Sequence, residues 1–201
     1  MVTNRPGLTR QILIEAGLRL LDEVGLDGLT VRRLAAEFDV KSPALYWHFR
    51  TKQELLDGMA EAIVTAPGMG PPRPGEPWQD WLFRRAHGYR DSLMAHRDGA
   101  RIVVQSSTRS PETIKAFEVE LAAMVDRGFT PVSAMRTISA ITFYVHGFVL
   151  QVQAGTGGAR PDLAGTPTLT AAVRAGGSAD DMFDHGLRAM IDGVRPAGEL
   201  S

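Results

Sequence analysis

Apolar residues recur at intervals of three and four positions along most of this 201-residue chain, and that spacing marks one face of an α-helix. The shared faces of the first two such segments carry Leu13, Ala16, Leu20 and Val24, and then Val31, Leu34, Ala35 and Phe38. No short run of Val, Ile and Thr alternates with polar residues between turn signals, as it would in a half-buried strand. The sequence therefore predicts an all-α fold.

Residues that favour helix starts stand before each of the first four segments, namely Thr9, Thr30, Ser42 and Thr51. The side-chain oxygen of each can accept a hydrogen bond from a free N–H of the first turn. Pro43 suits the first position of the third helix, where its missing N–H costs nothing. Gly25 is placed to end the first helix.

A stretch rich in proline and glycine divides the chain: residues 66–77 read APGMGPPRPGEP and cannot continue a helix. We expect a first domain over residues 1–65, which includes a connecting helix at 52–65, then a linker over 66–77 and a second domain over 78–201. Further helices are predicted at 78–95, 98–106, 111–127, 131–153, 168–175 and 179–193, with a loose stretch at 154–167.

Charge and cysteine content exclude several classes of protein. The net charge is −1, so any contact with nucleic acid needs a local concentration of positive charge. The absence of cysteine excludes disulfides, thiolate zinc sites and cysteine nucleophiles. The chain contains no long uncharged apolar run, and its first residues lack the apolar core of a signal peptide. We therefore expect a soluble cytoplasmic protein with no membrane partner.

The second and third predicted helices are separated only by Asp39, Val40 and Lys41. So short a connection forces two helices to cross steeply, which is the helix-turn-helix arrangement. Asp39 stands where a left-handed backbone conformation is needed, and Asp tolerates that conformation better than most residues. The first domain is therefore predicted to be a three-helix helix-turn-helix domain, joined by the connecting helix to the second domain.

Residues 41–52, KSPALYWHFRTK, place an unusual run of rings on a very short helix. Leu45 and Phe49 lie one turn apart and are predicted to face the core, which turns Tyr46 and Trp47 outward and leaves His48 at the margin. Between residues 30 and 52 there are five cationic side chains and two acidic ones, a local excess of three positive charges. Exposed rings and cations on a protruding helix suit the major groove of DNA. The alternative is that Tyr46 and Trp47 are core residues and the charges a solvated face.

Residues 29–59, LTVRRLAAEFDVKSPALYWHFRTKQELLDGM, closely resemble the DNA-binding domain of the TetR family of transcriptional repressors. The segments GEPWQDWLFRRAHGYRDSLMAHRDGARIV and RGFTPVSAMRTISAITFYVHGFVL resemble the regulatory domain of that family's tetracycline-repressor subgroup. The resemblance implies contacts with a double-stranded DNA operator by Thr30, Arg32, Lys41, Ser42, Pro43, Ala44, Tyr46, Trp47, His48 and Lys52. His48 has the alternative role of a packing residue. Ser42 and Ala44 differ from the subgroup's residues, so its operator sequence is not implied.

Regulatory domains of this family bind a small-molecule effector inside a helical bundle and dimerise through their last long helices. The sequence supports a dimer independently, because the helices at 131–153 and 179–193 are apolar around much of their circumference. We predict a homodimer joined by a four-helix bundle, built from these two helices of each subunit. The alternative is a monomeric bundle.

The effector predicted from the resemblance is not a magnesium–tetracycline complex. Val103 and Gln151 stand where the subgroup holds the metal through an imidazole and a water-linked carboxylate, and neither residue suits a hard cation. The predicted pocket residues are Arg85, Tyr89, Val103, Ser106, Glu120, Met135, Ile138 and Thr142. Arg85 either receives an anionic group of the ligand or pairs with Glu120, and His146 faces either the pocket or the dimer interface. No metal or cofactor is predicted.

We therefore expect a ligand-responsive transcriptional regulator, a repressor, that binds a palindromic operator as a homodimer and is released by its effector. One alternative is a helical small-molecule-binding protein without DNA binding, which would leave Trp47 and the local basic residues unexplained. An enzyme is the other alternative. The five histidines form no metal-binding pair, and no nucleophile or phosphate-loop motif occurs.

Overall fold

The computed structural model describes residues 8–66, 70–106, 109–155 and 163–196, and all regular secondary structure in these ranges is helical. The prediction of an all-α fold is confirmed. Residues 67–69 of the predicted linker and 156–162 of the loose stretch lie outside the described residues. No helix in the described ranges is both long enough and apolar enough to span a bilayer.

The first half of the chain contains α1 (Arg10–Gly28), α2 (Val31–Glu37), a 3-10 helix (Ser42–Trp47) and α3 (Lys52–Val64). The hydroxyl oxygens of Thr9, Thr30 and Thr51 accept hydrogen bonds from N–H groups in the first turns of α1, α2 and α3, so these three predicted caps are confirmed. Gly25 has a φ of 71° and interrupts the helical backbone of α1 three residues before its end.

The third helix differs from its prediction. It is a 3-10 helix rather than an α-helix, and Ser42 is its first residue rather than its cap. Lys41 occupies the cap position and makes no side-chain hydrogen bond there. Six residues with a proline near the start give few hydrogen bonds to either helix type, so packing of Leu45 and Phe49 decides the geometry.

The turn between α2 and the 3-10 helix adopts the predicted left-handed conformation at Asp39, whose φ is 53°. The N–H of Val40 donates to the carbonyl of Ala35 at 3.1 Å, which closes the turn. The two short helices pack against each other, with Leu34 and Leu45 in a common core. The helix-turn-helix arrangement is therefore present.

The second half of the chain is a bundle whose longest helix contacts most of the others. Its helices are α4 (Trp78–Met94), α5 (Gly99–Gln105), α6 (Pro111–Val125), α7 (Pro131–Gln153), α8 (Pro167–Ala175) and α9 (Ala179–Asp192). Helix α7 packs against α4, α5, α6 and α9. The predicted helices match these elements to within two residues at each end.

Helix α7 uses most of its apolar circumference inside its own chain. Ile138, Ile141, Val145 and Val149 are buried in the core, so these four residues, which the sequence assigned to a broad apolar surface, are not free for a partner. A separate strip of α7 does stay exposed, and Phe143 on that strip is 71% exposed.

Polar contacts join the two halves where α1 meets the start of α5. The N–H of Leu26 donates to a carboxylate oxygen of Asp98 at 2.8 Å, and the N–H of Arg97 donates to Asp22 at 2.9 Å. Arg101 bridges to Asp27 at 3.0 Å. Helix α3 also packs along α5 and α4, so the first half is held against the second by two of its helices.

Candidate functional sites

The short 3-10 helix divides its side chains by face. Leu45 and Phe49 are 3% and 4% exposed, whereas Tyr46 is 51% and Trp47 is 90% exposed. The alternative in which Tyr46 and Trp47 are core residues is therefore wrong. An indole that is almost wholly in water is a large apolar surface without an intramolecular reason to be there.

The other predicted DNA contacts surround this helix at the surface. Five of them are exposed and three are half-buried: Thr30, Arg32, Lys41, Pro43 and Lys52, and then Ser42, Ala44 and His48. The Thr30 hydroxyl also accepts the N–H of Arg33 at 3.2 Å, so it caps α2 while its residue stays open to solvent. The name reading surface is used below for the ten predicted DNA contacts, which are Thr30, Arg32, Lys41, Ser42, Pro43, Ala44, Tyr46, Trp47, His48 and Lys52.

Arg10 and Glu54, which the sequence did not single out, contact the segment that follows the 3-10 helix and support the reading surface. Arg10 donates to Glu54 at 2.8 Å and to the backbone carbonyl of His48 at 3.2 Å, and its guanidinium lies 4.5 Å from the ring centre of Phe49. Glu54 also accepts the N–H of Arg50 at 2.8 Å. That N–H, and then Arg10, hold the pKa of the Glu54 carboxyl below its usual value.

A cavity of about 500 Å³ lies where the end of α3 meets α4, α6 and α7. Most of its wall is apolar, formed by Val64, Ala66, Ile114, Ala116, Phe117, Ile138 and Phe143. Polar side chains interrupt that wall at Thr65, Arg85, Tyr89, Arg109, Thr113, Glu120, Ser139, Thr142 and His146. Its volume and mixture of surfaces are those of a small-molecule site.

Five of the eight predicted pocket residues line this cavity: Arg85, Tyr89, Glu120, Ile138 and Thr142. The other three do not. Val103 is 1% exposed and belongs to the core, and Met135 is 45% exposed to solvent. Ser106 follows the end of α5 and is not part of the lining. Helical spacing alone did not distinguish the cavity side of α5 and α7 from the neighbouring sides.

Arg85 and Glu120 form an ion pair across the cavity, from α4 to α6. Arg85 is 8% and Glu120 5% exposed. The Nε–H of Arg85 donates to Oε2 of Glu120 at 2.8 Å, and Nη2 lies 2.8 Å from the same oxygen. The pairing that the sequence left open is therefore present, and both charges are largely removed from water.

Tyr89 and His146 form a second polar pair, with the phenol oxygen 2.5 Å from the imidazole Nε2. Burial raises the pKa of Tyr89 to about 12, against a smaller opposing effect of Arg109 and Arg85. Burial, and then the positive charge of Arg109, lower the pKa of His146. At neutral pH the phenol therefore keeps its proton and the imidazole is neutral, so a hydrogen bond between two uncharged groups joins them. His146 lines the cavity, which answers the question that the sequence left open.

Glu61 ties the end of α3 to the start of α6. Its carboxylate accepts the hydroxyl of Ser110 at 2.5 Å and also the hydroxyl of Thr113. Ser110 is the cap of α6 and accepts the N–H of Thr113, so one carboxylate fixes the capped turn. Since Thr113 lines the cavity, this junction joins the cavity wall to α3.

The sequence missed several lining residues on and before α6. Thr113, Phe117 and Glu120 follow one another at helical intervals of four and three, which places them on one face. A search for polar residues at that spacing from Glu120 would have found Thr113. Arg109 precedes the helix and carried no periodic signal.

Neither residue at the position of the subgroup's metal ligands faces a candidate metal site. Val103 is in the core, and Gln151 is exposed on α7. In the ranges that the structure describes, no cluster of three or more His, Asp or Glu side chains is arranged to hold a metal ion.

Comparison with known proteins identifies both halves of the chain. The family model "Bacterial regulatory proteins, tetR family" matches residues 13–59, and "Tetracyclin repressor-like, C-terminal domain" matches residues 71–197. The class A tetracycline repressor of Escherichia coli, from transposon 1721, is 37% identical over 191 residues, which span 90% of this chain and 88% of that protein.

Solved structures agree with the sequence comparison. The class A repressor in complex with 5a,6-anhydrotetracycline and magnesium has a TM-score of 0.73 at 34% identity, over 92% of this chain and 97% of that chain. Apo ActR from Streptomyces coelicolor has a TM-score of 0.82 at 26% identity, over 98% and 100% of the two chains. The named sequence relatives are repressors and other transcriptional regulators rather than enzymes. This chain belongs to the TetR family of bacterial transcriptional regulators.

Proposed function

We propose that this protein is a ligand-responsive repressor that binds a palindromic operator as a homodimer and is released by a small molecule other than a magnesium–tetracycline complex. The proposal is supported by family membership and by two features of the chain, the reading surface and the cavity. One contact between these features carries the proposal: the residues at the end of α3 form part of the cavity wall.

Helix α3 connects the cavity to the reading surface. Val64, Thr65 and Ala66 at its carboxyl end line the cavity, and its amino end follows the 3-10 helix after a short turn. The helix has 13 residues and is therefore about 20 Å long. An effector that displaces the carboxyl end moves the reading surface, and a coupling of about 1–3 kcal/mol is enough for regulation.

In the operator complex, the exposed rings of Tyr46 and Trp47 enter the major groove. Arg32, Lys41 and Lys52 contact the phosphates. Hydroxyls, small side chains and one imidazole complete the surface, at Thr30, Ser42, Pro43, Ala44 and His48. Cations set the register of the complex, whereas ring edges and small side chains contact base edges. Trp47 is 90% exposed. Contact with DNA explains this exposure, whereas a role in stabilising the fold does not.

The homodimer forms through α7 and α9. Val132, Phe143 and Met182 on these helices are 57%, 71% and 62% exposed, which is more apolar surface than a monomeric bundle needs to show. For operator binding, the two-fold axis between the helix pairs must bring both reading surfaces to one face of the dimer. Successive major grooves require their centres to be about 34–36 Å apart.

The proposed effector is not a magnesium–tetracycline complex, because the metal lacks ligands. A valine does not coordinate a hard cation, and an amide lacks the charge that holds ordered waters around one. Val103 is also buried in the core, away from the cavity. The cavity therefore suits an organic ligand that binds without a metal.

Selection of bound fragments from genomic DNA tests the proposal. We expect recovery of a palindrome whose half-sites are centred about 10 base pairs apart or a multiple of that spacing. Recovery of no sequence in preference to random DNA would contradict operator binding. Once an effector is found, its affinity must fall in the presence of operator by the same factor by which it weakens operator binding, and an unchanged affinity would exclude regulation through α3.

A further inference from the structure

The buried ion pair of Arg85 and Glu120 leaves part of each group without a protein partner. The two side chains meet at one edge of the guanidinium, Nε and Nη2, and at one carboxylate oxygen, Oε2. Neither Nη1 of Arg85 nor Oε1 of Glu120 forms a hydrogen bond within the described part of the chain. A buried polar group without a partner is costly unless a ligand or water binds it.

The open part of Arg85 belongs to the cavity. Arg85 lines that space and is only 8% exposed. Among the described residues, the fully sealed side-chain atoms that lack a hydrogen bond are Nε2 of His87 and Oδ1 of Asp184, which lie 2.8 Å from each other. Nη1 of Arg85 is not one of them and is therefore not sealed. Nη1 and the outer N–H of Nη2 form the end-on edge of the guanidinium, whose two parallel N–H bonds match the two oxygens of a carboxylate.

The surroundings of that edge are mostly apolar, so a ligand there is apolar apart from the group that meets Arg85. The carboxylate of the lining is Glu120, whose Oε2 already accepts from Arg85. The lowered pKa of His146 keeps its imidazole neutral near pH 7. Phe117 provides flat apolar surface in the same cavity.

We propose that the effector is a carboxylate: a flat, mostly apolar monoanion whose two carboxylate oxygens accept hydrogen bonds from the open edge of Arg85. Glu120 holds the guanidinium by its other edge and orients it toward the ligand. This inference rests on the cavity being the effector site of the proposed repressor.

Isothermal calorimetry with two matched probes tests the inference on the whole chain without DNA. The probes are anthraquinone-2-carboxylate and its neutral analogue anthraquinone-2-carboxamide, which have nearly the same shape. We expect the carboxylate to bind at least roughly tenfold more tightly near neutral pH, because charge-assisted bidentate hydrogen bonds are the stronger kind. Equal affinities, or no binding of the carboxylate at about 1 mM, would overturn the proposal.

Variants assign the preference to Arg85. Because Arg85→Gln alone leaves Glu120 buried and unpaired, the double variant Arg85→Gln/Glu120→Gln keeps the cavity free of both charges. It should bind the two probes within about twofold of each other, whereas Glu120→Gln alone should raise the preference for the carboxylate by removing a neighbouring negative charge. A preference that survives in the double variant, or falls in Glu120→Gln, contradicts the proposal.

Arg84→Gln is the matched control. Arg84 neighbours Arg85 on α4 and also pairs with a glutamate, Glu76, at 2.7 Å, but it does not line the cavity. This variant should keep the wild-type preference for the carboxylate probe. Loss of the preference would show that it depends on the total charge of the protein rather than on the cavity. Failure of DNA binding with an intact carboxylate preference would refute the proposed function and leave only the carboxylate preference of the cavity, without its role as the effector site.

Discussion

The reading surface and the cavity differ in which side chains are exposed: an apolar ring lies in water on the reading surface, and polar groups are buried in the cavity. On the reading surface, the ring of Trp47 stays in water and contributes little to the fold. In the cavity, polar groups are buried and joined in pairs, as Arg85 is to Glu120 and Tyr89 to His146. Binding and stability are therefore separable in the first region and coupled in the second.

Removing one partner of the buried ion pair tests that coupling and should have the largest effect. Arg85→Ala leaves the Glu120 carboxylate buried without a cation, which costs about 3–5 kcal/mol in the free energy of unfolding. Urea unfolding followed by circular dichroism measures it. Arg84→Ala breaks a pair whose side chains are 24% and 13% exposed, and it should cost less because the carboxylate left behind reaches water more easily. Equal losses in the two variants would show that the cavity pair is no more coupled to stability than this less buried pair.

Trp47→Ala tests the opposite region. We expect operator affinity to fall by at least roughly thirtyfold, because large central rings contribute most of the energy of an interface. The melting temperature should change by less than about 1 °C, since the ring buries almost nothing in the free chain. Fluorescence anisotropy with labelled operator and thermal melting measure the two quantities.

Leu45→Ala on the same short helix is the contrasting variant. Leu45 is 3% exposed, so its truncation should cost about 2–5 kcal/mol of stability. If Trp47→Ala unfolded the protein to the same extent, the separation of binding from stability at the reading surface would be lost.

The buried phenol of Tyr89 in the cavity should make the free energy of unfolding depend on pH at high pH. The unfolded phenol ionises near its ordinary pKa of 10, whereas burial raises the folded pKa to about 12. The folded state therefore keeps a proton that the unfolded state releases, and this contribution, fully present below pH 10, is lost as the pH rises toward 12. We expect a loss of roughly 2 kcal/mol between about pH 9 and pH 11.5 that is absent from Tyr89→Phe. A Tyr89→Phe profile that matches the wild type would contradict the assignment.

Arg32→Ala should give the smallest effect. The exposed guanidinium of Arg32 is proposed to contact one phosphate, so its loss should lower the slope of log affinity against log salt concentration by about one. Titrations of operator at several salt concentrations measure the slope. Arg174→Ala, on α8 in the other half of the chain, is the control and should leave the slope unchanged. An unaltered slope in Arg32→Ala would remove Arg32 from the phosphate contacts.

Most of the fold was predictable because helix boundaries are encoded locally. Thr9, Thr30 and Thr51 cap their helices, and Asp39 takes the left-handed conformation. Helix α7 covers the predicted range of 131–153. The third helix was the exception, since six residues provide too little local preference to choose between an α-helix and a 3-10 helix.

The cavity was harder to predict because it depends on how helices are rotated against one another. Met135 and Ile138 are three positions apart and therefore differ by only about 60° around the helix, yet Ile138 reaches the cavity while Met135 faces solvent. Val103 had the same ambiguity and lies in the core. The side chain of His146 contacts Tyr89 on α4. Because these residues are far apart in sequence, helical spacing on α7 alone could not predict that His146 faces the cavity.

The three tryptophans give the molecule its own optical reporters. Trp47 is in water, and Trp81 is fully buried one turn before Arg85 on α4, with its indole N–H donating to the carbonyl of Gly70 at 2.8 Å. Because a buried indole emits at shorter wavelength than one in water, the two contribute to different parts of the emission spectrum. Trp78, half-buried against the ring of Phe129, adds a third contribution. In the wild-type chain, the long-wavelength emission of Trp47 reports DNA and the short-wavelength emission of Trp81 reports the ligand, so both can be followed in one sample without an attached dye.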